Sequence, residues 1–484
     1  MVAIMVWVFV SLKPLIRVML ASLVLLSASG CGGGGGSDGI TSNSSGSVGT
    51  SDDTGNLVDD TEGSADDIEG SADDTVNVGT GSDLPAGEPL GLVLPRVSIE
   101  ARELAVIINT DDPLSLQIAE YYVAARNIPQ QNVLRLAMGV VQVMSAEVFA
   151  AHETAINEAF GEEIEAIALT SMYPHRIECM SVSAAVALGF DLQYCKDGPS
   201  CGQTAAVDYF ESWSSHPWRD HGLRPTMIIA ADTYAAAVAL IDRGVAADAT
   251  YPDAKGWLVR TTDVERSVRS NDFAATRNTW QGVLDLEYVD NSAGAVGSDL
   301  IENQAGVLFY FTGLSRVDNI DTNTYHPGAV ADHLTSFGGS LPDSPQMSII
   351  EWLQAGVTAS YGAVVEPCNY TEKFPQASIL IPHYFRGESV VEAYWKSVHW
   401  PGEGNFVGEP LARPWVGAQT SYADGNYTVT TTLLRPGLNY AVESGPTKNG
   451  PWTPVMNNIN VGTWGMNNIL IKQVKVAWYR LVEE

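Results

Sequence analysis

Between residues 103 and 365 short apolar runs alternate with polar breaks and stretches of helical period. The run "ELAVIIN" (103–109) is continuous and branched, which suits a strand covered on both faces. It is followed by "DDPLSLQIAEYYVAARN", where Asp112 suits an N-cap and Pro113 the first helical position. Leu114, Ile118, Tyr122 and Ala125 then share one face, and Asn127 with Pro129 ends the helix. The alternation continues with strands "NVLRLAM" (132–138), "EAIALTS" (165–171), "TMIIAAD" (226–232), "GWLVRTT" (256–262) and "GVLFYFTG" (306–313), and a strand ending at Val365. Helices are predicted over 145–160, 234–246, 272–284, 330–337 and 346–355. This order predicts an α/β fold over 100–415, a mostly parallel sheet with helices on both faces. Beyond residue 420 the period changes to two, with Pro-Gly and Asn-Gly turns, and predicts a small antiparallel β-sandwich-like domain of five or six strands.

The N-terminal pattern is different. Lys13 and Arg17 precede an apolar run (18–26) and the small residues "SASG" directly before Cys31. That arrangement predicts a lipoprotein signal peptide over 1–30, with Cys31 as the lipidated residue. Residues 31–95 are Gly, Ser, Asp and Thr rich; between Asp38 and Glu100 fourteen acidic residues stand against one Arg. Such a stretch cannot bury enough apolar surface to fold and repels itself, so it is expected to be a disordered tether. The predicted location is therefore the cell envelope, with the lipid holding the chain to a membrane.

Charge narrows the partners. The chain carries a formal net charge of −31 and no Lys/Arg cluster, which excludes nucleic acid as a natural partner. With Cys31 acylated, Cys179, Cys195, Cys201 and Cys368 remain to be oxidised in an envelope. The segment "KDGPS" between Cys195 and Cys201 favours a tight return, so these two are the expected bridge. Cys179 and Cys368 are then either bonded to each other or both reduced.

In a parallel α/β sheet, ligands bind beyond the C-terminal ends of the strands. The residues this selects are Asp111, Asp112, His175, Arg176, Asp232 and Gly313, then Glu366 and Cys368 in "SYGAVVEPCNY" (360–370). A nucleophilic Cys368 needs a base. His326, expected in the loop after "VLFYFTG", is the preferred candidate, and His333, expected inside the next helix, is the alternative. A backbone N–H near Gly313 would serve the oxyanion. G-x-S-x-G, P-loop, G-x-G-x-x-G and H-E-x-x-H patterns are absent, and the Asp, Glu and His candidates show no metal-ligand spacing, so neither cofactor nor metal is predicted.

The segments "VIINTDDPLSLQIAEYYVAARNIPQQNV", "YPHRIECMS", "HLTSFGG", "GAVVEPCNY" and "FVGEPLARPW" resemble an uncharacterised bacterial family associated with exosortase, an envelope sorting transpeptidase. The resemblance implies an exported envelope protein and no defined activity. A weaker one, to gingipain-like cysteine peptidases of the caspase-type fold, rests on Cys368 after a strand and on "GEPLARP". Leu314 stands where that family has its histidine. Two functions follow as expectations: a non-catalytic recognition or assembly protein for an envelope protein or glycan, or a cysteine peptidase or transpeptidase using Cys368 and His326.

Overall fold

The structure is a computed structural model, which describes residues 91–196, 201–253, 255–474 and 477–484. The expected signal peptide, Cys31 and most of the expected tether lie outside the described residues. The described residues belong to one compact unit.

Ten strands form the central sheet. In chain order they are β1 (Leu104–Asn109), β2 (Val133–Leu136), β3 (Ala166–Leu169), β4 (Thr226–Ile228) and β5 (Lys255–Arg260), then β6 (Asp285–Asp290), β7 (Val307–Thr312), β8 (Tyr325–His333), β9 (Ala359–Ala363) and β10 (Gly404–Gly408). Across the sheet the order is β6-β5-β7-β8-β9-β10-β4-β3-β1-β2. The pairing is mostly parallel, and β10 runs antiparallel to β9 with Gly362 opposite Asn405.

The two halves share a strand order. In the first, β1 is flanked by β2 outside and β3 inside; in the second, β5 is flanked by β6 outside and β7 inside. Every residue of β1, β3 and β7 is buried, as their unbroken apolar runs require when helices cover both faces. The helix Pro113–Arg126 starts as its sequence predicts: Asp112 Oδ1 accepts from the Leu114 N–H at 3.0 Å, and Asn127 closes it in the left-handed region.

Four expectations are corrected. Residues 330–337 are not a helix: Tyr325–His333 is strand β8, with Gly328 to His333 all buried. A short run covered on both faces shows no period that would mark it as a strand. The helix expected over 346–355 is only Ile350–Ala355. The strands Asp285–Asp290 and Gly404–Gly408 were not anticipated. Finally, the tether does not reach residue 95, because Gly91–Val93 pairs in parallel with the last strand, Trp478–Glu483.

That last strand belongs to the C-terminal sandwich. One sheet orders Gly91–Val93, Trp478–Glu483, Asn439–Gly445 and Thr453–Asn460; the other orders Gln419–Ala423, Asn426–Thr431 and Asn467–Ile471. Tyr427, Val429, Tyr440, Val442, Ile469 and Leu481 fill the space between. The sandwich seats on the α/β layer through Arg386, whose Nε donates to Leu433 O at 3.1 Å, and through Trp464 stacked 5.7 Å from Trp280.

Candidate functional site at the C-terminal edge of the sheet

The two halves meet at one edge. Asn405 Nδ2, opposite Gly362 of β9, donates to His175 O beyond β3 at 2.7 Å and to Gly339 O at 3.0 Å. Asn405 Oδ1 also accepts from the N–H and hydroxyl of Ser183, so one buried amide ties three segments together.

Each half has a crevice where its strand order diverges, and the same device builds both. After β1, the Asn109 N–H donates to Ser115 Oγ at 3.0 Å, six residues on; after β5, the Thr261 N–H donates to Ser267 Oγ at 3.0 Å, again six on. The Asp111 N–H donates to Asn109 Oδ1 and the Asp263 N–H to Thr261 Oγ1, both at 3.2 Å. The segments read "NTDDPLS" and "TTDVERS", a shared pattern that marks an internal repeat.

The crevices differ in what fills them. In the second half, Arg266 O lies so close to Gly313 that a Cβ there would come within 1.9 Å of it. Gly313 is therefore packed against the Arg266 backbone on the side a Cβ would occupy. In the first half the crevice is open: a cavity of about 150 Å³ is lined by Asp112, Thr170, Met172, Tyr173, Asp232 and Pro342, with Leu114 and Ile229 beneath. Asp112 Oδ2 accepts from Ser171 Oγ at 2.7 Å, and Asp232 Oδ2 accepts from Gln354 Nε2 at 2.6 Å. The Tyr173 hydroxyl is pushed above its ordinary pKa, by burial first and then by the carboxylates of Asp343, Asp112 and Asp232.

The cysteine site is not assembled. The bridges are Cys179–Cys195 and Cys201–Cys368, each with Cα atoms 5.7 Å apart, so the expected Cys195–Cys201 bond does not form. Local turn chemistry proposes a bridge, but tertiary placement decides it: Cys195 is buried beneath the hairpin that holds Cys179. While Cys368 is bonded it has no thiolate to offer. Glu366 is equally committed, since Oε1 accepts from the Cys368 N–H at 2.9 Å and Oε2 from Ser336 Oγ at 2.6 Å. These bonds hold Cys368 in the left-handed region at φ 52°, a conformation that favours glycine.

Neither histidine reaches it. His326 sits near the start of β8 with its ring against Gly306, ahead of β7. Val330 pairs with Ala359, which puts Ala363 level with residue 334, about 26 Å along the strand direction from His326. His333 does lie at the correct edge, as the last residue of β8 rather than inside a helix, but it is buried. Its Nδ1 accepts from Trp352 Nε1 at 3.0 Å, and burial followed by Arg269 pushes its pKa down to about 3. Its one basic nitrogen is occupied.

The other candidates at this edge act on the fold. Asp111 Oδ2 accepts from the Gly139 N–H at 2.8 Å, and Arg176 donates to Glu178 O. His175 is buried, with its pKa lowered to about 4 by burial and then by Arg176. Among the described residues no group of three or more His, Cys, Asp or Glu side chains could hold a metal ion. Sequence reading missed a buried ion pair, Arg269–Asp332 at 2.7 Å, in which Arg269 also donates to Pro375 O and Thr312 O. Burial raises Asp332 to about 6 against the pull of Arg269.

These shifts predict acid sensitivity. A histidine with a lowered folded pKa binds fewer protons folded than unfolded, so its stabilisation is lost as pH falls from its unfolded value of about 6.5. His175 and His333 both act this way down to about pH 4. Asp332, raised, acts oppositely between its unfolded value and about 6, and offsets roughly one of them. Urea midpoints should therefore fall between pH 7 and pH 4, by about 3–4 kcal/mol of stability. A flat profile over that range would contradict the burial of both rings.

No protein-family model matches the chain, and no curated protein does. One solved structure, "Structure of Protease", aligns over 80% of this chain and 98% of its own at 9% identity and a TM-score of 0.39. A likeness that low carries no argument about activity.

Proposed function

We propose that the chain is an exported, lipid-anchored envelope protein that recognises a protein or glycan partner without catalysing peptide chemistry, in a role linked to envelope protein sorting. The observation that carries this reading is the Cys201–Cys368 bridge, which takes the candidate nucleophile, together with His326 at the opposite end of the sheet. Two disulfides suit an oxidising compartment, in keeping with the export signal read before Cys31. Among the described residues no helix is long and apolar enough to cross a membrane. The anchor in this reading is the lipid on Cys31, read from the small residues "SASG" directly before it.

The test is labelling of the folded, unreduced protein with a thiol-reactive peptide probe, beside Cys368→Ala and His326→Ala. The expected result is no labelling of the wild type or of His326→Ala, while Cys368→Ala takes label only at Cys201, the partner it frees. Stoichiometric labelling of Cys368 that His326→Ala abolishes would establish the peptidase mechanism instead.

A further inference from the structure

Beside the open crevice lies a small outer strand with an apolar face. Val143–Met144 pairs with Arg176–Ile177, which pairs with Met180–Ser181, and Val143–Met144 is at the edge of this three-stranded sheet. Around it Val140, Val141 and Val143 are 53%, 45% and 39% exposed, and Val148, in the first turn of the following helix, is 53% exposed. Four exposed valines thus fall within nine residues of the chain, a local concentration of apolar surface.

The backbone of this strand faces outward at alternate positions. Gln142 O accepts from the His175 N–H and Met144 O from the Glu178 N–H, both at 3.0 Å, so the even-numbered positions point into the sheet. The peptide group of Val143 then points away from it, as an open edge does.

The same segment is continuous with the acidic crevice. Gly139 donates to Asp111 Oδ2 and accepts from Asn109 Nδ2, each at 2.8 Å. Asp111, Asp112 and Asp232 are held by neutral donors, namely the Gly139 N–H, the Leu114 N–H with Ser171 Oγ, and Gln354 Nε2. Two helices begin here, at Pro113 and Tyr234, and each offsets about half a charge. With Asp343 also acting on Tyr173, the crevice stays net negative.

From the open edge, the exposed valines and this charge we infer that Val143–Met144 and the adjoining crevice bind an extended basic segment of a partner protein as an added strand. Apolar side chains of that segment cover the valines, and a Lys or Arg enters the cavity between Asp112 and Asp232. A second copy of this chain is disfavoured as occupant, because its net charge of −31 would be brought against the same sign. The inference rests on the recognition reading and chooses a peptide over a glycan, since a peptide pairs its own backbone with a strand edge and carries the basic side chain that the negative crevice attracts.

The test is fluorescence anisotropy of the full chain with two labelled eight-residue peptides, one alternating Val-Lys and one alternating Val-Glu. The Val-Lys peptide should bind at least about tenfold tighter, with affinity falling as salt rises. Val143→Pro, which removes the outward donor, should weaken it about tenfold. Asp112→Asn with Asp232→Asn should do the same and flatten the salt dependence; Asp232 is exposed, so Asp232→Asn alone also supplies a variant that folds. Equal affinity for the two peptides, no binding of Val-Lys, or wild-type binding by both variant sets would overturn the inference. A missing complex with Cys368 still unlabelled removes this docking site and leaves the non-catalytic reading standing, whereas labelled Cys368 removes the reading itself.

Discussion

Replacing Cys201 and Cys368 together by serine should lower the unfolding free energy by about 5 kcal/mol, whereas replacing Cys179 and Cys195 should cost about 3 kcal/mol. The difference comes from loop length: the first bridge spans 167 residues and the second 16, so the first removes more freedom from the unfolded chain. The long bridge also fastens the loop after β9, where Glu366 and Ser336 hold Cys368 in the left-handed region. Urea unfolding of the two serine pairs checks the order. Equal losses, or a larger loss for the short loop, would place the stabilisation in something other than chain entropy.

Glu409→Ala should cost about 3–5 kcal/mol, because it takes the bidentate partner from a buried guanidinium and leaves it Asp248 alone. Glu409 is fully buried and takes Arg126 with both oxygens, Nε at 3.0 Å and Nη2 at 2.5 Å. Its Oε1 also accepts from the Tyr122 hydroxyl at 2.9 Å and the Leu411 N–H at 3.3 Å. Arg126 reaches Asp248 as well, whose Oδ1 accepts from the Arg413 N–H at 2.9 Å, and Arg413 pairs with Glu100 at 3.2 Å. A Cβ on Gly244 would come within 2.5 Å of Glu409, so the helix Tyr234–Ala247 needs a glycine where the carboxylate passes. The segment "GEPLARP" is thus a clamp that closes the sheet's far edge onto the helix Pro113–Arg126. Replacing the pair with Arg126→Met and Glu409→Leu should cost less than Glu409→Ala alone, since no buried guanidinium is left without its bidentate partner, and Asp248, about a third exposed, keeps water and the Arg413 N–H. Urea midpoints of the single and double variants decide this. A double variant worse than the single would mean that the ion pair stabilises beyond its own satisfaction.

The parts of the fold legible in the sequence were those fixed by local chemistry. "ELAVIIN" reads as a buried strand because branched residues fill both faces, and Asp112 with Pro113 reads as a helix start because cap and first turn are adjacent in the chain. Strand β8 does not read as a strand because its six buried residues give neither a two-residue nor a 3.6-residue period. The helix predicted there would start at the sheet edge where β8 instead ends, which is why His326 and His333 lie elsewhere than the pattern places them. Gly91–Val93 was absorbed into the tether because three residues with one glycine carry no strand signal; its pairing with Trp478–Glu483 comes from the other end of the chain.

The candidate site was legible as an edge and not as a constellation. Asp111, Asp112, His175 and Asp232 lie where strands end, as the α/β rule requires. Which crevice is open depends on Arg266 packing over Gly313, a contact between segments some fifty residues apart that no local pattern encodes. The pattern shared by "NTDDPLS" and "TTDVERS" is legible in the sequence, because Asn109 and Thr261, at or just after a strand end, are each followed by a serine six residues on. The cysteine pairing is not: Cys201 and Cys368 meet only after both halves have folded.

The central claim is that Cys368 is structural. Digestion of the folded protein under non-reducing conditions, with free thiols first alkylated, should yield one peptide pair joined through Cys201 and Cys368, a second joined through Cys179 and Cys195, and no alkylated Cys368. A peptide containing a Cys195–Cys201 bond, with Cys368 recovered alkylated, would contradict the account and return that residue to the list of nucleophiles.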